Sequence, residues 1–187
     1  MKHILAPILL LVFLFPSLAL GEEVTIDDLI TNPSDGLYYH KFTDVPFSGK
    51  VTGIQQGKIK KGKMEGPWVS YYYNGQLSYT GTWKNGKREG PWVRYYDDGQ
   101  LYQKGNYKNG KKEGPWVVYH DNGQLQRKGN YKNEEEEGFW VAYYSNGQLS
   151  MKGNYKNGKK EGSWESYDEN GQSDKYAGTY KDGVKVD

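Results

Sequence analysis

The chain of 187 residues contains no cysteine. This absence excludes disulfide bonds, a small disulfide-stabilised scaffold and a cysteine-linked lipid anchor. It also removes the thiolate ligands of a zinc site, and only His40 and His120 remain as histidines beyond the first 21 residues. Because these two are far apart in sequence, no metal site and no cofactor are expected.

Long apolar runs are missing as well, except at the amino terminus. Lys2 precedes an apolar run over residues 4–14, which is followed by Pro16 and by small residues up to Gly21. This order predicts a signal peptide over 1–21, cleaved near Gly21, and thus an exported protein of the bacterial periplasm or exterior. An uncleaved membrane anchor is the alternative, but the run is short and is broken by Pro7 and Pro16.

Aliphatic residues are scarce, since only 35% of the chain is hydrophobic and 16% is aromatic. Tyrosine and tryptophan must therefore supply most of the buried area. A charge excess of either sign is also lacking: without the signal peptide, which carries Lys2 alone, 24 basic residues face 23 acidic ones. Nothing in this balance predicts a nucleic-acid partner.

Instead, the chain contains an internal repeat. Five tryptophans follow one another at intervals of 24 residues, namely Trp68, Trp92, Trp116, Trp140 and Trp164. The pattern predicts an all-β fold, an elongated twisted antiparallel meander of tandem 24-residue β-hairpin repeats. We divide it into a lead-in at 22–46, a truncated first repeat at 47–65, and five repeats at 66–187. The last repeat is expected to be a cap, with one extra residue forming a bulge before Gly178.

The repeat also predicts a register. Asn74-Gly75 lies between two β-rich runs, which favours a two-residue turn with φ > 0 at both positions. Such a turn places Tyr72 opposite Leu77 and Trp68 opposite Gly81. The same tryptophan–glycine pairing recurs as Trp92–Gly105, Trp116–Gly129 and Trp140–Gly153. We expect each ring to cover the glycine across its own hairpin, which makes these residues structural.

The unit G-x-W-x-x-Y-Y-x-N-G-Q-L-x-x-x-G-x-Y-K-N-G-K-K-E resembles the bacterial variant of the MORN repeat. It is most similar to the YwqK-type antitoxins of toxin–antitoxin systems, whose beginnings residues 36–39 and 46–49 also resemble. The resemblance implies β-hairpin units that contact proteins or membrane surfaces. The antitoxin label implies neutralisation of a toxin. No catalytic residues come with this family.

Catalytic patterns are weak. Residues 57–63 match most of a phosphate-binding loop, but Met64 stands where Ser or Thr would hold the metal. A strand rather than a helix is expected to follow this loop, which removes the helix N-terminus that binds phosphate. His120 occupies a position that is tyrosine in other units. We therefore expect no enzyme.

Two surfaces are candidates for binding. One is an aromatic ladder opposite the tryptophans, formed by Tyr71, Tyr95, Tyr119, Tyr143 and Tyr167. The other is a charged edge at the loops between units, formed by Lys87, Arg88, Lys111, Lys112, Lys159 and Lys160, and interrupted by Glu134, Glu135 and Glu136. Each surface also has a purely structural interpretation. The tyrosine ladder would pack neighbouring hairpins together, and the charged edge would keep the exposed turns soluble and protect them from aggregation.

These features predict a non-enzymatic, exported binding or scaffold module at the cell envelope. Its partner is expected to be another protein, such as a toxin or an envelope protein. Antitoxin-like neutralisation of a toxin or effector and binding of envelope glycan or anionic lipid are the alternatives. The sequence leaves the oligomeric state open.

Overall fold

A computed structural model describes residues 22–187, so the signal peptide expected at 1–21 lies outside the described residues. The first eight strands are β1 (Glu23–Thr25), β2 (Leu29–Thr31), β3 (Tyr38–His40), β4 (Gly49–Thr52), β5 (Gln55–Lys60), β6 (Lys63–Tyr71), β7 (Leu77–Lys84) and β8 (Lys87–Tyr95). The remaining eight are β9 (Leu101–Lys108), β10 (Lys111–Tyr119), β11 (Leu125–Lys132), β12 (Glu135–Tyr143), β13 (Leu149–Lys156), β14 (Lys159–Ser166), β15 (Gly178–Lys181) and β16 (Val184–Lys185). A single 3₁₀ turn, Ile26–Asp28, follows β1.

Fourteen of these strands form one sheet in the order β1-β4-β5 and then consecutively to β16. Every neighbouring pair from β4 onward is antiparallel, and substantial contacts join only hydrogen-bonded neighbours. The predicted all-β array of tandem hairpins is therefore confirmed. One pair departs from the meander, because β1 runs parallel to β4, with Val24 opposite Val51. Strands β2 and β3 form a separate hairpin.

The turns with two left-handed residues lie between units rather than within them. Asn85 and Gly86 have φ of 51° and 77°, and Lys84 pairs directly with Lys87 across them. Equivalent pairs follow at Asn109-Gly110, Asn133-Glu134, Asn157-Gly158 and Asp182-Gly183. A positive φ at both central positions matches the right-handed twist of the flanking strands.

The turn at Asn74-Gly75 differs from the two-residue turn predicted there. Only Gly75 has positive φ, at 85°. Its N–H donates to the Tyr72 carbonyl over 2.9 Å, and Tyr72 N–H donates to the Gln76 carbonyl over 2.8 Å, which closes a three-residue loop. Asn74 Oδ1 accepts the Gln76 N–H at 2.9 Å, a local turn that asparagine side chains favour. The asparagine thus stabilises the turn through its side chain, not through a left-handed backbone.

This longer loop changes the register near the turn. Tyr71, not Tyr72, lies opposite Leu77, so the predicted Tyr72–Leu77 pair is wrong. A register shift between Ser70 and Tyr71 then restores the predicted alignment, and Trp68 lies opposite Gly81. Because cross-strand partners share a face, the leucine belongs to the face of Tyr71.

The tryptophan rings lean in the direction opposite to the one expected. Trp92 has a glycine on each flanking strand, Gly81 on β7 and Gly105 on β9. A Cβ atom built on Gly81 would lie 2.1 Å from Trp92, whereas one on Gly105 would lie 2.3 Å from Trp116. Each ring therefore covers the glycine of the preceding unit, and the contact expected within its own hairpin is wrong.

Hydrogen bonds accompany this lean at three of the tryptophans. The indole N–H of Trp116 donates to the Asn106 carbonyl on the preceding strand over 3.2 Å. Trp140 and Trp164 make the same bond to Asn130 and Asn154, at 3.1 and 3.0 Å. A buried indole N–H is stabilised by an acceptor, which these three find on the preceding strand. Trp68 leans over Gly57 in the same way although its indole N–H has no partner, so ring packing alone is sufficient for the lean.

One tyrosine ring lies between each pair of successive tryptophans from Trp92 to Trp164. These tyrosines occupy the position that Trp83 has in the first full unit. Tyr107 contacts Trp92 and Trp116 edge-on, with ring centroids 5.6 and 5.4 Å apart. Tyr131 and Tyr155 continue the pattern to Trp164 with interplanar angles of 76–90°. Edge-to-face packing of this kind stabilises by about 0.5–1.5 kcal/mol per pair beyond the buried area. The ladder is the core of the array, and we call the side of the sheet that carries it the tryptophan face.

The two ends close the array differently. At the amino end the lead-in contributes Val24 and Leu29 to a hydrophobic cluster with Phe47, Ile59 and Trp68. At the carboxyl end the extra residue does not form the expected simple bulge. Residues 174–177 leave the strand as a turn, closed by the Ala177 N–H to Asp174 carbonyl bond, before β15 resumes.

The direction of the lean can be tested with Gly105→Ala. A methyl group there would meet Trp116 at 2.3 Å. We expect destabilisation of about 1–3 kcal/mol, the usual effect of overpacking. In ¹H–¹⁵N spectra the indole signal of Trp116 should move while that of Trp92 stays in place. Movement of Trp92 instead would restore the contact within one hairpin.

Candidate functional site

The five ladder tyrosines stand at corresponding positions, near or just beyond the end of the first strand of each unit, and all are half-buried. Four of them pair with leucines: Tyr71 with Leu77, Tyr95 with Leu101, Tyr119 with Leu125 and Tyr143 with Leu149. Tyr167 lies in the cap and bridges Ser173. Because residues two apart share a face, Val69, Val93, Val117 and Val141 belong to the same side. We call this side of the sheet the tyrosine face.

A row of lysines accompanies the tyrosine face. Lys104, Lys128 and Lys152 lie directly opposite Val93, Val117 and Val141 on the neighbouring strands. The sequence interpretation missed these lysines, although they recur at 24-residue spacing before each covered glycine. That position, adjacent to a residue of the tryptophan face, assigns them to the opposite face. The face therefore combines an apolar stripe with positive charge.

The tyrosine face has no second layer within residues 22–187, since substantial strand contacts join only neighbours in the sheet. Phe139, at the position of Pro67, Pro91 and Pro115, is 53% exposed there. An open face with a large exposed ring and lysines has the composition of an interaction surface.

The residue that directly follows a ladder tyrosine forms a hydrogen bond to the next hairpin. Tyr72 Oη donates to the Tyr95 carbonyl over 2.8 Å, and Tyr96 Oη donates to the Tyr119 carbonyl over 2.7 Å. His120 makes the equivalent contact through Nε2, 2.9 Å from the Tyr143 carbonyl. These bonds fix the backbone of each ladder tyrosine from the preceding unit. The histidine thus occupies a structural tyrosine position.

A charged network closes the carboxyl end of the tyrosine face. Glu165 accepts hydrogen bonds from Tyr167 Oη at 2.8 Å and from Lys152 Nζ at 3.0 Å. The bond from Tyr167, followed by that from Lys152, lowers the pKa of the Glu165 carboxyl. The lysine at this end is therefore neutralised, and the free positive charge of the row lies at Lys104 and Lys128.

The predicted charged edge divides into two sets. Lys87, Lys111 and Lys159 are exposed, as expected for an edge. Their neighbours instead lie over aromatic rings: Arg88 Cζ is 4.7 Å from the Trp92 centroid, and Lys112 Nζ is 4.6 Å from that of Tyr131. Consecutive strand residues point to opposite sides, so only one of each pair can face solvent at the edge.

Lys160 shows the same arrangement, 4.4 Å from the Trp164 centroid and 4.8 Å from that of Tyr180. Burial lowers the pKa of its ammonium group. Cations over indole and phenol rings stabilise by about 0.5–2 kcal/mol. The expectation that Arg88, Lys112 and Lys160 form a solvent-facing edge is therefore wrong, since these side chains cover the aromatic core.

The three glutamates that interrupt the charged edge, residues 134–136, lie in three different environments. Glu134 replaces a turn glycine with φ of 79°, and its carboxylate accepts the Lys112 N–H at 2.6 Å. Glu135 is exposed at the edge. Glu136 takes the place of the ring-covering cation, and Tyr131 Oη lies 3.4 Å from its carboxylate. Here Arg127 lies over Trp140 instead, at 5.9 Å.

Burial raises the pKa of Tyr131 to about 12, with the nearby Glu136 carboxylate adding to the shift.

Within residues 22–187 no cluster of His, Asp or Glu side chains is arranged to hold a metal ion. No helix in the same residues is long and apolar enough to cross a membrane.

Taken together, the fold and its open face define a single-layer β-repeat protein whose chemistry is that of a surface. The MORN repeat variant model matches residues 64–85, 88–109, 112–133, 136–157 and 160–182. These segments cover more than half of the chain, which therefore belongs to the MORN repeat variant family. Repeats of this family are generally protein- or lipid-binding modules.

No curated protein matches the chain. Among solved structures, one similar chain comes from a crystal structure of a GtfA/B complex bound to UDP and GlcNAc. The two are 12% identical, and the match covers 74% of this chain and 25% of that one, with a TM-score of 0.16. The chain thus spans about a quarter of that protein's length, and a likeness this low carries no argument.

Tyr131 provides a pH test of the aromatic core. Its pKa is raised from an ordinary 10.0 to about 12, so the folded state holds this proton more tightly than the unfolded chain. The resulting stability is fully present below pH 10 and is lost as the pH rises to about 12. The difference in Tm between the wild type and Tyr131→Phe should therefore shrink across this window. Tyr73→Phe, at a residue 97% exposed, is the control; a Tm difference for Tyr131→Phe that stays constant with pH would contradict the assignment.

Glu134 provides a test of backbone strain. A left-handed conformation disfavours a non-glycine residue by about 1–2 kcal/mol, and the bond to Lys112 N–H offsets part of this. We expect Glu134→Gly to raise the free energy of unfolding by about 1 kcal/mol in urea denaturation. Glu135→Gln removes a neighbouring charge without a change in φ and should have little effect. Equal gains from both would indicate charge repulsion in place of strain.

Proposed function

We propose that this chain is a non-enzymatic binding module, exported to the cell envelope, that holds a partner protein on its tyrosine face. The observation that supports this most directly is the composition of that face. Tyrosine, leucine and valine form a continuous stripe over four hairpins, and no second layer covers them within residues 22–187. Export rests on the apolar amino terminus alone.

The lysine row specifies the kind of partner. Lys104 and Lys128 are exposed and about one 24-residue unit apart, beside the apolar stripe. A partner that buries the stripe must place acidic side chains opposite these lysines, because an unpaired cation at the rim weakens association. An elongated acidic protein surface with apolar residues along its centre fits this face.

A toxin is the first partner to examine, because the repeats resemble those of YwqK-type antitoxins. Toxins and effectors that an exported protein meets must themselves enter the envelope. Co-expression of this chain with a candidate toxin from a neighbouring gene should restore growth if neutralisation is its function. Growth that is not restored leaves the binding-module proposal standing and removes the antitoxin form of it.

Anionic lipid and glycan surfaces are the competing partners, and the exposed edge residues Lys87, Lys111 and Lys159 are the groups they would contact. The edge and the tyrosine face carry separate lysines. Charge reversal can therefore be applied to each surface independently.

The proposal can be tested by site-specific photocrosslinking in cells. A benzophenone amino acid replaces Tyr119 on the tyrosine face, or Lys87 at the edge as a matched control. We expect Tyr119 to give a discrete protein adduct, identifiable by mass spectrometry, that the edge position does not give. Lys104→Glu with Lys128→Glu should abolish the adduct, whereas Arg127→Glu, at an exposed neighbour of Lys128 on the tryptophan face, should leave it.

Three results would overturn the proposal. The adduct could form equally from both positions, it could survive charge reversal on the tyrosine face, or no protein could be captured at all. In the last case, sedimentation with anionic vesicles that is lost on edge charge reversal would assign the chain to a membrane surface.

A further inference from the structure

The tryptophan face contains one groove that breaks the repeat. It has a volume of about 490 Å³ and lies across β7 to β10, lined by side chains that include Tyr79, Trp83, Arg88 and Arg94. At each of these four positions the residue differs from those 24 residues away. The combination of two arginines with Tyr79 and Trp83 occurs in this part of the array only, among the repeats of residues 22–187.

Arg94 is the most unusual of the four. The same position holds Ser70, Val118, Ala142 and Ser166 in the other units, small residues that are buried or half-buried. The arginine lies over Tyr102 at 5.6 Å, and its buried Nε–H has no hydrogen-bond partner. A buried donor without an acceptor is expensive, and two of the three such donors in residues 22–187, Arg94 Nε–H and Trp83 Nε1–H, belong to residues that line this groove.

Trp83 repeats this pattern. It stands where later units have Tyr107, Tyr131 and Tyr155, and its buried indole N–H also lacks a partner. Tyr79 stacks on Trp92 with centroids 4.9 Å apart and an interplanar angle of 18°. Trp92 approaches its covered glycine through Cε3, whereas the later tryptophans approach through Cδ2. The local aromatic arrangement is therefore specific to this unit.

Arg88 supplies a second guanidinium group. It lies over the rings of Trp92, Tyr107 and Trp83, at 4.7, 4.9 and 5.6 Å, and donates to Tyr107 Oη over 2.8 Å. Lys112 also lines the groove, 4.0 Å from the carboxylate of Glu134. Three cations thus share the groove with one carboxylate, which leaves an excess of two positive charges.

From these contacts we infer that the groove binds the oxyanion group, carboxylate or phosphate, of a small polar molecule. Both anions present two oxygens to the fork of a guanidinium group, which is the acceptor that Arg94 lacks. Arg88, already held over three rings, contributes fixed positive charge from the other side. The volume accommodates a small molecule rather than a protein segment. The site is on the opposite face from the tyrosine face, so it does not depend on the binding of a protein partner.

The proposal is tested by NMR titration of the ¹⁵N-labelled protein from residue 22 onward, which comprises the complete described fold. The signals to follow are Arg94 Nε–H and Trp83 Nε1–H. Sodium phosphate and sodium acetate are added separately, with sodium chloride at matched ionic strength as the reference. We expect both signals to shift saturably with at least one oxyanion, while the indole signals of Trp140 and Trp164, already bonded to carbonyls, do not.

Arg94→Val, which introduces the residue found at this position in the next unit, should weaken binding about tenfold or more, as expected for a lost charge-assisted hydrogen bond. Arg94→Lys keeps the charge but loses the fork and should also bind more weakly. Arg127→Gln, which removes an exposed arginine outside the groove, is the matched control and should bind normally.

Saturation by phosphate alone or by acetate alone would support the site and identify its anion. The proposal is overturned if neither anion saturates, or if Arg94→Val binds as the wild type does while its other indole signals show an intact fold. Binding that is equally weakened by Arg127→Gln would also overturn it, because the effect would then be one of net charge.

Discussion

The contact between a tryptophan ring and the glycine of the preceding unit is the constraint on which the rest of this protein depends. Any side chain at Gly105 would occupy the volume of Trp116, so the close approach requires the glycine. The indole N–H then finds its acceptor on the same preceding strand. Packing and hydrogen bonding therefore both hold the ring against the preceding strand. In this way a chain with few aliphatic residues forms a continuous core from single-layer hairpins.

The period of 24 residues was enough to predict the hairpin array, and the alignment of Trp68 with Gly81 followed from it. The direction of the ring could not follow, because Trp92 has a glycine on both sides and only three-dimensional packing distinguishes them. The predicted two-residue turn at Asn74 was wrong for a related reason. Asparagine followed by glycine favours two different turns, and a side-chain bond to Gln76 determines which one forms.

The candidate surfaces were predictable to different degrees. The tyrosines could be placed on one face by alternation along the strand, but their lysine neighbours were obscured by the more conspicuous lysines of the loops. Arg88 and Lys112 were assigned to the solvent because loop residues usually are exposed. They cover the aromatic core instead, since strands continue up to the two-residue turns at Asn85 and Asn109.

The residue that follows each of the first four ladder tyrosines bonds to the backbone 23 residues further on, as from Tyr72 to Tyr95 and from Tyr144 to Tyr167, whereas three indole N–H groups bond back to the preceding strand. Each inner unit therefore forms the same set of bonds with the unit before it and with the unit after it. Duplication or loss of one whole unit would leave both ends with complementary neighbours. Array length can then change through recombination in the gene without redesign of either cap, so the reach of the binding face can evolve separately from its chemistry.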